Sequence, residues 1–388
     1  MQRIYLDNNA STPLLPQVFE AMHAYFGERF GNASSIHQQG QQARAAVERA
    51  RESVAALIGC RAAEVVFTSG GTESDNLAIF GVASAGDHLI TSTIEHHAVL
   101  NACKRLEQLG CEVTYVPVGK DGVVDPTSVA EAVRTNTKLI SVMMANNETG
   151  ALQPVDEIGK MAQEHGITFH TDAVQAAGKV PINVAEIGCN LLSISAHKMH
   201  GPQGTGALYV RRGTLLNPLF YGGRHERSRR AGTENLPGIV GLGKAAEISK
   251  DWLASGGPIE MAALRDRLER TLIQSVERTK VNSGGVARTP NTSNIVFECI
   301  EGEAMVIALD LKGIAVSTGA ACSSGAIEPS HVLTAMGLSG EEARGSIRFS
   351  LGKQTTTVEI DQVLERVPEV VSRLRELSPI WVNAAGQK

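Results

Sequence analysis

Aromatic side chains are scarce in this chain: Phe, Tyr and Trp together make up 4% of 388 residues, while hydrophobic residues as a whole reach 43%. The core is therefore expected to be mainly aliphatic. A surplus of positive charge is also missing. Lys and Arg number 36 against 41 Asp and Glu, a net charge of −5, which argues against a nucleic-acid binder or a binder of anionic membranes. No apolar run approaches the ~18 residues of a membrane-spanning helix. The segment Met1-Gln-Arg-Ile-Tyr-Leu-Asp-Asn-Asn9 has no signal-peptide core and is not an Arg/Ser-rich transit segment, so a cytoplasmic location is expected. Cysteines are few: Cys60, Cys103, Cys111, Cys189, Cys299 and Cys322, with no Cys-x-x-Cys pair. That spacing offers neither a disulfide framework nor a closed zinc site.

The chain does hold a regular alternation. Between residues 45 and 210, helical spacing (45–58, 73–82, 98–109, 126–134, 155–164) alternates with short apolar runs (64–68, 88–91, 113–116, 139–144, 167–170). This is the pattern of an α/β fold with a mainly parallel sheet covered by helices. After residue 250 it changes. A charged helix at 259–277 precedes short segments at 293–297, 302–311, 314–317 and 346–350 and a helix at 358–377, which reads as a smaller α+β domain. The expected division is a large domain over 16–250 and a small one made of 1–15 and 251–388. Ligands of such sheets sit at the carboxyl ends of the strands. The stretches that follow the strands are Ser69-Gly-Gly-Thr72, Asn146-Asn-Glu148, Thr171-Asp172 and Ser195-Ala-His-Lys198.

Lys198 ends an apolar run and is followed by Gly201, Gly204 and Gly206, a strand–turn–strand pattern. A lysine at the end of a buried strand sheds its charge more readily than a surface one, and a neutral amine condenses with aldehydes. Ser69-Gly-Gly-Thr-Glu-Ser74 lies between a strand and a helix. It reads either as an ordinary helix cap or as an anion site of backbone N–H groups at a helix N-terminus. Asp172 is open to two readings, an N-cap for a helix over 173–177 or a carboxylate awaiting a buried positive charge such as a protonated pyridine nitrogen. Gln175 shares either role. One imidazole of Glu95-His96-His97 suits stacking on a flat ring or proton transfer. Cys322 sits among small residues in Ser317-Thr-Gly-Ala-Ala-Cys-Ser-Ser-Gly-Ala326, either as a packed turn or as an exposed, reactive thiol.

Two decoys fall away. Gly238-Ile-Val-Gly-Leu-Gly-Lys-Ala245 nearly fits a nucleotide-binding P-loop, but Ala245 stands where a Mg²⁺-binding Ser or Thr is required, and no strand precedes it. It is expected to be a packed helix. His170, His197 and His200 match no zinc-ligand spacing.

A lysine, an aspartate, a stacking histidine and a phosphate site without a P-loop lysine together fit pyridoxal phosphate. Here the chain resembles a fold-type I, class-V aminotransferase-like enzyme, specifically a cysteine desulfurase of the NifS/IscS class. The likeness runs through Tyr5-Leu-Asp-Asn-Asn9, Gly31-Asn-Ala-Ser-Ser35, Gly71-Thr-Glu-Ser74, Asn146-Asn-Glu148, His170-Thr-Asp-Ala-Val-Gln175, Ser195-Ala-His-Lys198, Arg230-Ala-Gly-Thr-Glu-Asn235, the Cys322 segment and Ile347-Arg-Phe-Ser-Leu351. Ala33 and Gly71 replace the proline and alanine of many relatives, and neither change removes a functional group.

The resemblance implies the following roles. Lys198 carries the cofactor and moves the Cα proton, Asp172 pairs with the ring nitrogen, and Gln175 donates to the phenolic oxygen. His96 stacks on the ring as a candidate acid/base. Gly71, Thr72, Ser195 and His197 belong to the cofactor site, and Thr233 reaches the phosphate of the other subunit of a homodimer. Asn147 and Arg348 hold the carboxylate of L-cysteine, and Asn147 also borders the cofactor. Cys322 takes the substrate sulfur as a persulfide and passes it to an iron–sulfur scaffold protein or another acceptor. A transient role for Cys322 as ligand of a cluster shared with that scaffold is a further expectation. The Ala145–Gly150 and Arg229–Asn235 segments lean slightly toward the nitrogen-fixation type. The rivals are other fold-type I enzymes, a selenocysteine lyase or an aminotransferase, which would not need Cys322.

Overall fold

The computed structural model describes residues 3–319, 329–379 and 381. In chain order its strands are β1 (Ile4–Tyr5), β2 (Val65–Thr68), β3 (His88–Ser92), β4 (Glu112–Val116), β5 (Thr137–Ser141), β6 (Thr168–Asp172), β7 (Leu191–Ser195), β8 (Gly206–Val210), β9 (Thr279–Asn282), β10 (Thr292–Phe297), β11 (Ile314–Ala315) and β12 (Ser346–Ser350).

Seven of them form one sheet in the order β2-β8-β7-β6-β5-β3-β4. β7, β6, β5, β3 and β4 are parallel neighbours, while β8 is antiparallel to both β7 and β2. Two reversals cancel, so β2 points the same way as the parallel strands. The loop after β2 therefore opens at the same edge as the loops after β6 and β7. The register tightens this: Thr68 and Ser195 both lie opposite Gly206. A Cβ on Gly206 would come within 2.6 Å of the Gly70 Cα, so only glycine lets the loop after β2 close over the sheet end.

Helices cover the sheet as the alternation requires. The Gln38–Ile58 helix stops at Gly59, whose φ of +71° is the left-handed conformation favoured at helix ends. It starts seven residues before the stretch at 45–58, because its first turns bury only the small Gly40 and Ala43 and so show no apolar period. The near-P-loop segment lies inside the Leu236–Ala254 helix, as expected of packed helix. A second sheet, β12-β10-β9, is antiparallel, and β1 pairs with β11. The Thr357–Leu377 helix behind it begins with a capping box, Thr356 and Glu359 each accepting from the other's backbone N–H.

The buried apolar residues fall into two main groups. One runs from Leu15 to Ala246. The other joins Ile4 and Leu6 to residues between Met261 and Val371. Both are largely aliphatic, in keeping with the shortage of aromatics. A smaller group packs Val332, Leu333 and Met336 against Ile94 and Met143. No helix among the described residues is long and apolar enough to cross a membrane.

Candidate active site

A cavity of about 360 Å³ opens at the sheet edge where β2, β6 and β7 end. Gly71, Thr72, His96, Asn147, Asp172, Gln175, Ser195, His197, Lys198 and Arg348 all line it. These are ten of the twelve site residues read from the sequence. Thr233 is exposed and does not line it. Cys322 lies outside the described residues.

Lys198 ends the short turn Ala196–Lys198 that follows β7. Its amine donates to the backbone oxygens of Asn9 at 2.6 Å and Ala10 at 2.8 Å. Burial, then the nearby Arg348 guanidinium, bring its pKa down to about 8. Asp172 ends β6. Burial raises its pKa to about 6, against the pull of the Val174 N–H and of Lys198. Its Oδ1 accepts from Val174 N at 2.8 Å. The helix expected over 173–177 is absent, since these residues form turns. Asp172 thus caps a turn rather than a helix with one oxygen while its side chain lines the cavity.

At the other end, the Gly71–Val82 helix begins on the cavity wall. Its first N–H groups carry the partial positive charge of a helix N-terminus, and Ser195 and His197 line the same cavity. His197 Nδ1 lies 3.2 Å from Ser11 Oγ, and burial with Lys198 lowers its pKa to about 4. Glu73 steadies this helix start, with Ser69 N at 2.8 Å from Oε2 and Arg230 Nε at 2.9 Å from Oε1. His96 caps the His97–Gln108 helix by accepting from Ala98 N at Nδ1. Burial, Lys198 and His97 lower its pKa to about 4, so the ring is neutral with its proton on Nε2. On the small-domain side, Arg348 of β12 donates from Nη1 to Asn147 O at 2.9 Å and from Nη2 to Asp7 Oδ1 at 2.8 Å. Its Nε is buried without a partner.

Some of the machinery was not legible. Asn9 stood in the sequence only within a motif, yet it is a hub. Its Nδ2 bonds Thr292 Oγ1, and its backbone oxygen receives both Lys198 and Gln175. Asp75 gave no signal at all. It is buried on the cavity wall, its Oδ1 has no hydrogen-bond partner, and it lies 3.6 Å from His170 Nε2. Burial and Asp172 hold its carboxyl well above the usual range. His170 is buried between Ser141 and Ser193, and burial lowers its pKa to about 3. No metal cluster of His, Cys, Asp or Glu exists among the described residues.

The donor set fits pyridoxal phosphate. An amine able to lose its charge stands between a buried carboxylate and a helix start flanked by hydroxyl and imidazole groups. Comparison with known proteins agrees. The profile of the family "Aminotransferase class-V" matches residues 4–363. A cysteine desulfurase IscS of Dictyoglomus turgidum is 49% identical over 383 residues, 97% of either chain. A cysteine desulfurase of Trichormus azollae is 51% identical over 389 residues, 100% of this chain and 97% of its own. A solved NifS-like protein superposes with a TM-score of 0.90 at 37% identity, over 96% of this chain and 100% of its own. With this geometry and this breadth of likeness, the chain belongs to the class-V aminotransferase family, among its pyridoxal-phosphate-dependent cysteine desulfurases of the NifS/IscS class.

Proposed function

We propose that the cavity converts L-cysteine to L-alanine with Lys198, Asp172 and Arg348 as its working groups and Cys322 as sulfur acceptor. The observation that carries this reading is the Lys198 amine, with a pKa of about 8, held in one cavity with Asp172 and Arg348. When bound, the cofactor supplies an aldehyde for the substrate amine and a ring that draws electrons from its Cα.

The chain does the rest. Thr72, Ser195, His197 and the helix start at Gly71 would hold the phosphate. Asp172 would meet the ring nitrogen, and Gln175 would donate to the phenolic oxygen. The Arg348 fork and Asn147 hold the substrate carboxylate. Lys198 would move the proton at the substrate Cα, and His96, on the same cavity wall, would stack on the cofactor ring. The Cys322 thiolate then forms an S–S bond to the substrate sulfur while the substrate C–S bond breaks. The electron pair stays on the substrate carbon, which takes up a proton and leaves as alanine. The balance is cysteine plus thiol to alanine plus persulfide, with no outside oxidant.

The persulfide sulfur passes to an iron–sulfur scaffold or another acceptor, with Cys322 as transient cluster ligand. Thr233 serves the phosphate site of the partner subunit in a homodimer. Its exposure supports this, as does the exposed apolar side chain of Tyr221 on the same stretch of chain. The two separate apolar cores support a large domain over 16–250 and a small one from 1–15 and 251–388. The five described cysteines are free, which supports a reducing, cytoplasmic setting.

The test is alanine release from L-cysteine under anaerobic, reducing conditions, wild type beside Cys322→Ala. Alanine from wild type and almost none from the variant is expected. Equal release from both would hand the site to a lyase that needs no thiol.

A further inference from the structure

One buried lysine has no part in the chemistry above. Lys179 is 7% exposed and lies in the turns that follow β6. Its Nζ donates to Gln175 Oε1 at 2.7 Å and to Asn9 Oδ1 at 3.2 Å. Burial first, then Lys198, Arg348 and Lys353, push its pKa well below the lysine range. Both acceptors are side-chain amide oxygens, and the amine donates to each of them.

Gln175 is the group this arrangement acts on. The two ends of an amide have nearly the same shape, so the surroundings decide which end points where. The Asn9 carbonyl can only accept, and it takes an N–H from Gln175 Nε2 at 2.9 Å. Lys179 answers the other end by donating to Oε1. One N–H of Nε2 is left over, on a side chain that lines the cavity.

We propose that Lys179 is a positioning residue for the cofactor site: its amine, by holding Gln175 Oε1 and Asn9 Oδ1, locks the Gln175 amide so that an N–H faces the cofactor's phenolic oxygen. This rests on the reading of Gln175 as the donor to that oxygen. Without Lys179, Oε1 is buried with no donor, a costly state. Turning the amide would set Oε1 against the Asn9 carbonyl, so the side chain instead shifts toward another donor, and its free N–H leaves the phenolic oxygen. The phenolic oxygen then becomes more basic, and the bound chromophore keeps its proton to higher pH.

The experiment titrates the visible absorbance of cofactor-loaded enzyme against pH for wild type, Lys179→Met, Gln175→Ala and the double variant, with cofactor dissociation measured alongside. Met fills the space of Lys without a polar group, and Lys179→Leu replaces it if that protein does not fold. Lys179→Met is expected to raise the midpoint by about one pH unit, a tenfold change in proton affinity. Gln175→Ala is expected to raise it similarly, and the double variant no further, because both changes remove one donor. A Lys179→Met shift that persists in full on top of Gln175→Ala would show that the lysine acts through its own charge and would overturn the proposal. So would a wild-type midpoint in Lys179→Met when Gln175→Ala is shifted. A wild-type midpoint in Gln175→Ala would instead remove the Gln175 reading, and the Lys179 role with it.

Discussion

The Lys198 amine rests 2.6 Å from the backbone oxygen of Asn9, a residue 189 positions away in the chain. The N-terminal strap thus holds the reactive nitrogen in place before any aldehyde arrives. Two carbonyl oxygens orient the amine, and burial makes its charge easier to lose.

Cofactor capture should follow that lowered pKa. With a value of about 8, about one amine in ten is neutral at pH 7, against a few in ten thousand for an ordinary lysine. Only the neutral form condenses, so the capture rate rises with pH and levels off above about 8. Stopped-flow absorbance of apoenzyme mixed with pyridoxal phosphate from pH 6 to 10 checks this. A rate still climbing tenfold per unit at pH 9.5 would refute it.

Arg348 is pinned by Asp7 and the Asn147 carbonyl, so its guanidinium is held in one orientation on the cavity wall. Arg348→Lys is expected to raise KM for L-cysteine by about 10- to 100-fold with a smaller change in kcat, since a point charge replaces a planar fork. Asp7→Asn loosens the fork and should raise KM by about 3- to 10-fold. Steady-state kinetics decide; a collapse of kcat at unchanged KM would place Arg348 elsewhere in the cycle.

Asp172→Asn keeps an oxygen for the Val174 N–H but removes the negative charge. Alanine formation should fall by about 100-fold or more, with the circular dichroism spectrum unchanged. Retention of activity within a few-fold would show that the ring nitrogen does not rely on this carboxylate.

Glu95 offers a pH test of stability. It is fully buried, with Oε1 accepting from Ser92 Oγ and Met143 N and Oε2 unpartnered. Burial raises its pKa from 4.5 to about 8. The folded state therefore binds a proton that the unfolded state has released between those values. The stabilisation is complete below about 4.5 and lost as pH rises to 8. Glu95→Gln is isosteric and does not titrate, so its urea midpoint should fall less than that of wild type between pH 6 and 9. Parallel curves for the two proteins would contradict the raised pKa.

Periodicity made most of the framework readable. Residues 155–164 form a helix with those same bounds, because local apolar spacing sets which face is buried. The strand expected at 139–144 instead ends at Ser141. Met144 N still bonds the Asp172 carbonyl, but the chain is already leaving the sheet toward the Asn146 turn. Such an exit depends on a neighbouring strand, and spacing does not record it. The reversal of β8, which brings the loop after β2 to the active edge, is likewise a matter of pairing.

Residue chemistry and order were enough to point to Lys198, Asp172 and the helix start at Gly71, since each sits where a strand ends, whereas Arg348 came only with the family resemblance. The sequence alone also determined the shortage of aromatics that makes both cores aliphatic. Only the tertiary structure decided which polar groups lose water. Asn9, Asp75 and Lys179 look like ordinary surface residues in the chain. They become parts of the site because strands and helices far away in sequence exclude solvent around them, and burial, which sets the charge of Lys198 and Asp172, belongs to the packed fold rather than to any segment.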